Sequence, residues 1–190
     1  MTRLPSLPPT PTLETRRLIL RPIRMEDAET VQRLFPHWEI VRYLQAGVPW
    51  PFPSDGARSH IERELHAVAR GEKNVWAITL RAGPGDLIGS INLRAAHPGE
   101  DNRGFWLGLP WQRQGLMTEA AHAVTAYAFD DLGWQTLTVS NAEPNAASRR
   151  LKQAQGAVLV SRSVGLWVSG EGAKETWSLN RDTWNRGVTA

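Results

Sequence analysis

The chain has 190 residues, 41% of them hydrophobic, which fits one domain with a sizeable core, since single domains run to roughly 100–200 residues. It has no cysteine, which excludes a disulfide framework, a thiolate zinc site and a catalytic thiol, and fits a reducing compartment. Twenty-two Lys and Arg against 19 Asp and Glu leave a net charge of +3 with both signs interspersed; nothing here argues for nucleic acid, and no run nears the roughly 20 apolar residues that span a bilayer.

Residues 1–12 carry prolines at 5, 8, 9 and 11 and no apolar signal-peptide segment, which reads as a flexible, poorly ordered arm on a cytoplasmic protein. A single domain over 13–184 and a short tail over 185–190 follow. Leu18 to Ile23 reads as a first strand, with Pro22 placing it at an edge or ending it. Met25, Ala28, Val31 and Leu34 give Glu26–Phe35 a helical period, and Pro36 stops it. Glu39–Gln45 reads as a further short helix, and the prolines of Val48–Pro53 make that stretch a loop. Ser54 looks like the N-cap of a helix with Ile61, Leu65 and Val68 on its apolar stripe, ended by Gly71.

Strands follow at Val75–Leu80, Leu87–Leu93 and Gly104–Leu109, the first two separated by the turn signal Gly83-Pro84-Gly85-Asp86. Short connections predict antiparallel pairing. The pattern then becomes a helix over Thr118–Leu132, a β-branched strand over Thr136–Ser140, a helix over Ala146–Gln155, and strands at Val158–Val164 and Glu175–Leu179. The whole reads as α/β with a mixed sheet. The nine tryptophans have no fixed spacing and read as core and rim fillers rather than base-stacking platforms.

The chemistry concentrates in Phe105–Ala120, where a strand runs through a loop straight into a helix start. The first helical turn has four N–H groups without partners, and with the positive end of the macrodipole they form an anion site. Gly115 lets backbone approach a ligand closely, and Arg113 adds a positive charge. Walker and Rossmann fingerprints are both absent.

These residues resemble the GNAT superfamily of acetyl-CoA-dependent N-acetyltransferases, in its RimJ/RimL-like branch, which acts on ribosomal-protein N-termini. The signature Gln/Arg-x-x-Gly-x-Gly/Ala falls on Gln112–Met117, with Met117 departing from the small residue at its end. The branch's Trp-Leu-Gly matches Trp106-Leu107-Gly108, its Thr-Glu-Ala matches Thr118-Glu119-Ala120, and its Asn-x-x-Ser-x-Arg matches Asn145–Arg150 with Gly156 behind. Glu14–Leu18 with Leu20–Pro22 resembles the opening strand, and Trp177–Leu179 with Arg181–Trp184 the closing one, so the likeness covers about 13–184 in order.

The resemblance implies a mostly antiparallel sheet splayed in its middle, with helices on both faces. Gln112, Arg113, Gln114, Gly115, Leu116, Met117 and Thr118 would hold the coenzyme A diphosphate. The pantetheine arm would lie between the strand of Trp106 and Leu107 and that of Thr136–Ser140, with the Leu107 N–H as oxyanion donor. Asn145 would touch the pantetheine arm and Ser148 would protonate the leaving thiolate; helix capping is the plainer role of both. Transfer would be direct, in a ternary complex. The general base is open among His37, Glu39, Glu100, Asp101 and Glu175, and His97 sits in an expected loop. Acceptor recognition is expected from loops at Glu39–Phe52 and Gly165–Lys174, through Tyr43, Trp50 and Trp167. No metal site and no membrane or nucleic-acid partner is expected. A protein N-terminus is the expected acceptor; a small-molecule amine, a degenerate CoA-binding module without turnover and a homodimeric assembly stay open.

Overall fold

The computed structural model describes residues 6–83, 85–95 and 100–184. Pro84 of the predicted turn, His97, and the terminal residues 1–5 and 185–190 lie outside that range. Two antiparallel sheets carry the fold. The first has the order β1-β2-β3-β4-β5, from β1 (Leu13–Glu14), β2 (Leu18–Pro22), β3 (Lys73–Leu80), β4 (Gly89–Arg94) and β5 (Arg103–Leu107). The second has the order β6-β8-β7, from β6 (Thr136–Ala142), β7 (Val158–Trp167) and β8 (Gly170–Asn180).

The helices are α1 (Ala28–Leu34), α2 (Trp38–Val41), α3 (Gly56–Ala69), α4 (Leu116–Ala126) and α5 (Ala146–Ala154). The central strand β3 explains their placement, because it buries both faces. Trp76 and Ile78 enter one apolar cluster with α4 and α5, while Val75 and Ala77 enter another with α1, α2 and α3. Side chains alternate across a strand, so a run as apolar as Val75–Ile78 needs cover on both sides.

Several elements differ from the sequence expectation, each for a physical reason. Residues 6–12 were expected as a loose arm. They are instead tied down: Leu7 is buried and donates its N–H to Gly71, Asn74 Nδ2 donates to Pro8 O, and Trp76 Nε1 donates to Pro11 O at 2.6 Å. The helix predicted from Glu26 opens as a 3-10 turn over Met25–Asp27. The expected helix at Glu39–Gln45 is the single turn of α2. The helix predicted to run to Leu132 is α4 followed by a π turn over Tyr127–Asp131. The wider turn buries Tyr127, Ala128 and Phe129 in succession, which a 3.6-residue period does not do.

The second acceptor loop, expected at Gly165–Lys174, is a hairpin. β7 and β8 pair from Val158↔Ser178 to Trp167↔Gly170, with Gly170 at φ +105° in the turn. Outward residues of β7, such as Val160 and Val164, are exposed, so its sequence lacks the buried face that usually marks a strand.

Gly89 has a steric reason. A Cβ there meets Trp106 O at 2.5 Å and Leu107 Cα at 3.0 Å. We expect Gly89→Ala to force β4 and β5 apart and to cost about 1–3 kcal/mol, read by chemical denaturation. An unchanged unfolding midpoint would show that β5 is not held at that distance.

Candidate active site

β5 and β6 are the facing edges of the two sheets. They meet at one end, where Asn102 N–H donates to Thr138 O at 2.8 Å and Thr138 N–H donates to Asn102 Oδ1 at 2.7 Å. Ser140 Oγ donates to Asp101 Oδ2 beside them. Among the described residues no ladder joins the strands beyond that contact. Arg94 N–H donates to Asn102 O, and Gly108 N–H donates to Ile88 O, each at 2.8 Å. That parity points the main-chain groups of residues 104 and 106 at β4 and those of 103, 105 and 107 at the open edge. Gln112 Nε2 takes up Leu107 O at 2.9 Å. The Leu107 N–H is left on the gap side. Trp106 turns its main chain to β4 and its ring edge-on to Phe35, with centroids 5.1 Å apart, so it backs the gap rather than lining it.

From β5 the chain turns through a 3-10 segment, Leu109–Trp111, into α4. Arg113 and Gly115 both take positive φ, +62° and +74°. Alternating left-handed residues curl successive N–H groups into an anion-binding nest. Gln112, Arg113, Gln114 and Gly115 are exposed. Glu119 N–H to Gly115 O is the first bond of α4, so the N–H groups of Leu116, Met117 and Thr118 precede the helical ladder. The Gln112 N–H, expected in the cradle, donates to Leu109 O at 3.2 Å and leaves it. Leu116 is buried, and Met117 packs against the main core, so its side chain does not fill the nest.

The loop is fixed from behind by the segment joining β1 to β2. Arg17 Nη1 donates to Gln114 O at 2.9 Å. Arg17 Nε donates to Glu119 Oε2 at 2.6 Å, while Thr15 Oγ1 and the Arg17 N–H donate to Glu119 Oε1. Burial pulls the Glu119 carboxyl up, but the hydrogen bonds from Thr15 and Arg17 and the Arg17 charge outweigh it and hold it low. Glu119 is thus an anion at a helix N-terminus, and Arg17 neutralises it.

Asn145 is the N-cap of α5, its Oδ1 accepting the Ser148 N–H at 3.1 Å. Ser148 is buried, and its Oγ accepts from Lys152 Nζ at 2.7 Å. Lys152 is 1% exposed. Desolvation lowers its ammonium from the usual range to about 7, with Arg103 adding to the effect and Asp101 and Glu175 opposing it. Arg103 is buried too; it donates to Thr125 Oγ1 at 2.6 Å and Gln155 Oε1 at 2.8 Å, tying β5 to α4 and to the end of α5. Burial lowers Arg103 to about 10 against the pull of Asp101.

Sequence reasoning missed Arg103, Lys152 and Gln155. The signal existed: 148, 151, 152 and 155 share one helix face, and all four residues are buried. Three of the four are polar, so a search for apolar stripes passes over that face.

Of the base candidates, His37, Glu39 and Glu100 are exposed. Glu175 is buried; the hydrogen bonds from Arg149 and Asn141, with the charges of Arg149 and Arg162, overcome desolvation and hold its carboxyl low. It sits in a structural ion pair with Arg149 at 2.9 Å rather than waiting for a proton. The two acceptor segments do meet. Ala46 N–H donates to Leu166 O and Val168 N–H to Leu44 O, around a hollow of about 340 Å³. Trp167 lines that hollow but is 7% exposed, so it is a wall rather than a mobile clamp. Trp50 is exposed beside Trp38, with ring centroids 5.7 Å apart, and Tyr43 is half-buried under the Arg42 guanidinium. A second hollow, about 470 Å³, lies between residues 6–10 and α3, away from the β5–β6 gap. Among the described residues no group of three or more His, Asp or Glu can hold a metal, and no helix is long and apolar enough to cross a membrane.

A split antiparallel sheet with an N–H nest at the mouth of the split defines a class, and the comparisons agree. A family model described as the acetyltransferase (GNAT) domain matches residues 17–158. The uncharacterized N-acetyltransferase YoaA of Bacillus subtilis (strain 168) is 33% identical over 148 residues, covering 74% of this chain and 79% of that protein. A structure of the RimL ribosomal L7/L12 alpha-N-protein acetyltransferase in complex with coenzyme A superposes with a TM-score of 0.77 at 16% identity, over 91% of this chain and 99% of that one. The ribosomal-protein-S5-alanine acetyltransferase of Vibrio fischeri gives 0.75 at 15% identity, over 92% and 99%. The chain belongs to the GNAT acetyltransferase family and is an acetyl-CoA-dependent acyltransferase.

The buried Lys152 makes stability depend on pH. Its ammonium is lowered from 10.5 to about 7 in the folded chain, so between those values the unfolded chain binds more protons and stability rises with pH. We expect Lys152→Met to be more stable than wild type at pH 7 by roughly 1–3 kcal/mol and to lose most of the rise between pH 7 and 10. Parallel pH profiles of the urea midpoints would show that Lys152 is not charged in the unfolded chain alone.

Proposed function

We propose that this acyltransferase acetylates the N-terminal amine of a protein by direct attack in a ternary complex. The observation that carries the reading is the exposed N–H nest over Arg113–Gly115, opening at the end of a gap whose edge presents the Leu107 N–H. Bound acetyl-CoA supplies the acetyl group already activated as a thioester. The N–H groups of residues 113–118 and the macrodipole of α4 bind its diphosphate, and the Arg113 guanidinium adds charge at the rim. The free main-chain edge of β5 pairs with the pantetheine amides as an added strand does. The NH2 end of Asn145, whose oxygen already caps α5, is available to the same arm. The Leu107 N–H stabilises the oxyanion that forms as the amine attacks, a donor worth roughly 3–4 kcal/mol. Ser148 protonates the departing sulfur.

A protein acceptor is supported by the structural likeness to RimL, a ribosomal L7/L12 alpha-N-protein acetyltransferase, and to the ribosomal-protein-S5-alanine acetyltransferase of Vibrio fischeri. The meeting of the segments around Leu44 and Leu166, with Trp50 exposed on the first of them, provides a surface for a peptide N-terminus. The Tyr43, Trp50 and Trp167 rings would contact its first residues.

The test is thiol release from acetyl-CoA with a panel of peptides differing at the N-terminus, alongside amino acids and polyamines. Turnover with peptides in preference to small amines is expected; preference for a polyamine or a free amino acid would overturn the acceptor. Gly115→Trp should weaken CoA by more than about 100-fold in calorimetry, roughly 3 kcal/mol, while the fold persists. A folded Gly115→Trp with wild-type affinity would remove the nest from the site. Ser148→Ala should lower kcat by roughly 100-fold and leave KM for acetyl-CoA nearly unchanged.

A further inference from the structure

We infer that Lys152 is a positioning residue that acts through Ser148, a buried ammonium that aims the Ser148 hydroxyl hydrogen away from α5 and restores the proton Ser148 gives to the departing sulfur. This rests on the reading of Ser148 as the proton donor.

The geometry comes first. Lys152 Nζ lies 2.7 Å from Ser148 Oγ, one helical turn away. In its ammonium form Lys152 has donors only, so Ser148 Oγ then accepts this bond and its own hydrogen goes elsewhere. The ordinary sink for a helical serine hydrogen is the carbonyl one turn back. Among the described residues the Ser148 hydroxyl makes no such bond to Pro144 O or Asn145 O. The hydrogen is therefore free for an acceptor outside the helix. Burial makes the arrangement unusual, because lysine normally sends its head to water while only its stem is covered. Here the whole side chain is covered.

The chemistry explains why a serine would need this partner. A hydroxyl is a far weaker acid than a thiol, so alone it gives up a proton to a thiolate unfavourably. A lysine with its ordinary value near 10.4 is also a weaker acid than a thiol near 8.5. The surroundings of Lys152 change that. Desolvation first, and then the Arg103 charge on β5, bring it to about 7, while Asp101 ahead of β5 and Glu175 on β8 pull the other way. An acid near neutrality is matched to protonating a thiolate. In the step itself the C–S bond breaks with its electron pair going to sulfur. The Ser148 proton moves to sulfur, and a Lys152 Nζ proton moves to Ser148 Oγ. Lys152, now neutral, regains a proton from solvent after product leaves, and the proton lost by the attacking amine goes to solvent.

The test combines a titration with kinetics on variants that keep the fold. In the unliganded protein, the Lys152 side-chain nitrogen signal should titrate near pH 7 by NMR. A midpoint in the ordinary lysine range above 10 would overturn the inference without touching the Ser148 reading. With the best peptide from the panel, wild-type kcat should fall as pH rises through that midpoint, because the ammonium is the active form. Lys152→Met should lower kcat by about 100-fold, keep KM for acetyl-CoA within twofold, and lose the alkaline limb. Lys152→Arg keeps the charge but does not release a proton, so it should not rescue kcat. The Ser148→Ala/Lys152→Met double variant should be no slower than Ser148→Ala alone. Wild-type kcat and pH profile in Lys152→Met, or losses that multiply in the double variant, would sink the role of Lys152. If Ser148→Ala also keeps full activity, the Ser148 reading falls with it.

Discussion

The arrangement depends on one interruption: β5 and β6 are neighbours that pair at one end and part beyond it. An unpaired strand edge inside a domain is costly, because each N–H and C=O left without water or a partner loses a hydrogen bond's worth of free energy. A fold keeps such an edge when something else uses it. Here the two sheets are joined by Asn102 and Thr138 and backed by buried polar groups rather than by a close-packed apolar seam. Arg103 ties β5 to α4 and α5 through Thr125 and Gln155, so the contact end is stiff while the other end stays open.

The same economy holds at the mouth of the gap. The nest over Arg113–Gly115 spends two left-handed residues, one of them not glycine, which is an energetically unfavourable backbone in isolation. One support is distant in sequence, Arg17 gripping Gln114 O and the Glu119 carboxylate at once, and one is local, Gln112 reaching back to Leu107 O. A loop held by the Arg17 side chain and by its own Gln112 bonded to the β5 main chain is organised before any ligand arrives, and preorganisation of N–H donors is what makes such a site bind anions well. The methionine at the end of the signature is harmless to this geometry because it packs inward on the core.

Much of this was legible in the chain. The apolar run of β3, the strand–loop–helix order around Gly115 and the capping sequence at Asn145 are local patterns, and local patterns survive translation into structure. Other features were not legible. The hairpin of β7 and β8 has an exposed outer face, so periodicity underreports it, and the π turn after α4 breaks the period on which helix prediction relies. The buried face of α5 is polar, and polar residues at helical spacing read as solvent-facing until the packing is known.

The sequence by itself determined most secondary elements, their order, and the short loop that leads through Gly115 into the start of α4, because backbone propensity and signature residues act over a few positions. The tertiary structure alone decided that the sheet splits after Asn102, that Lys152 and Arg103 are both buried and within reach of each other's charge, and that Trp167 is a wall rather than a clamp. Burial and the fields of distant charges are sums over neighbours from separate parts of the chain, and no local run of residues encodes such a sum.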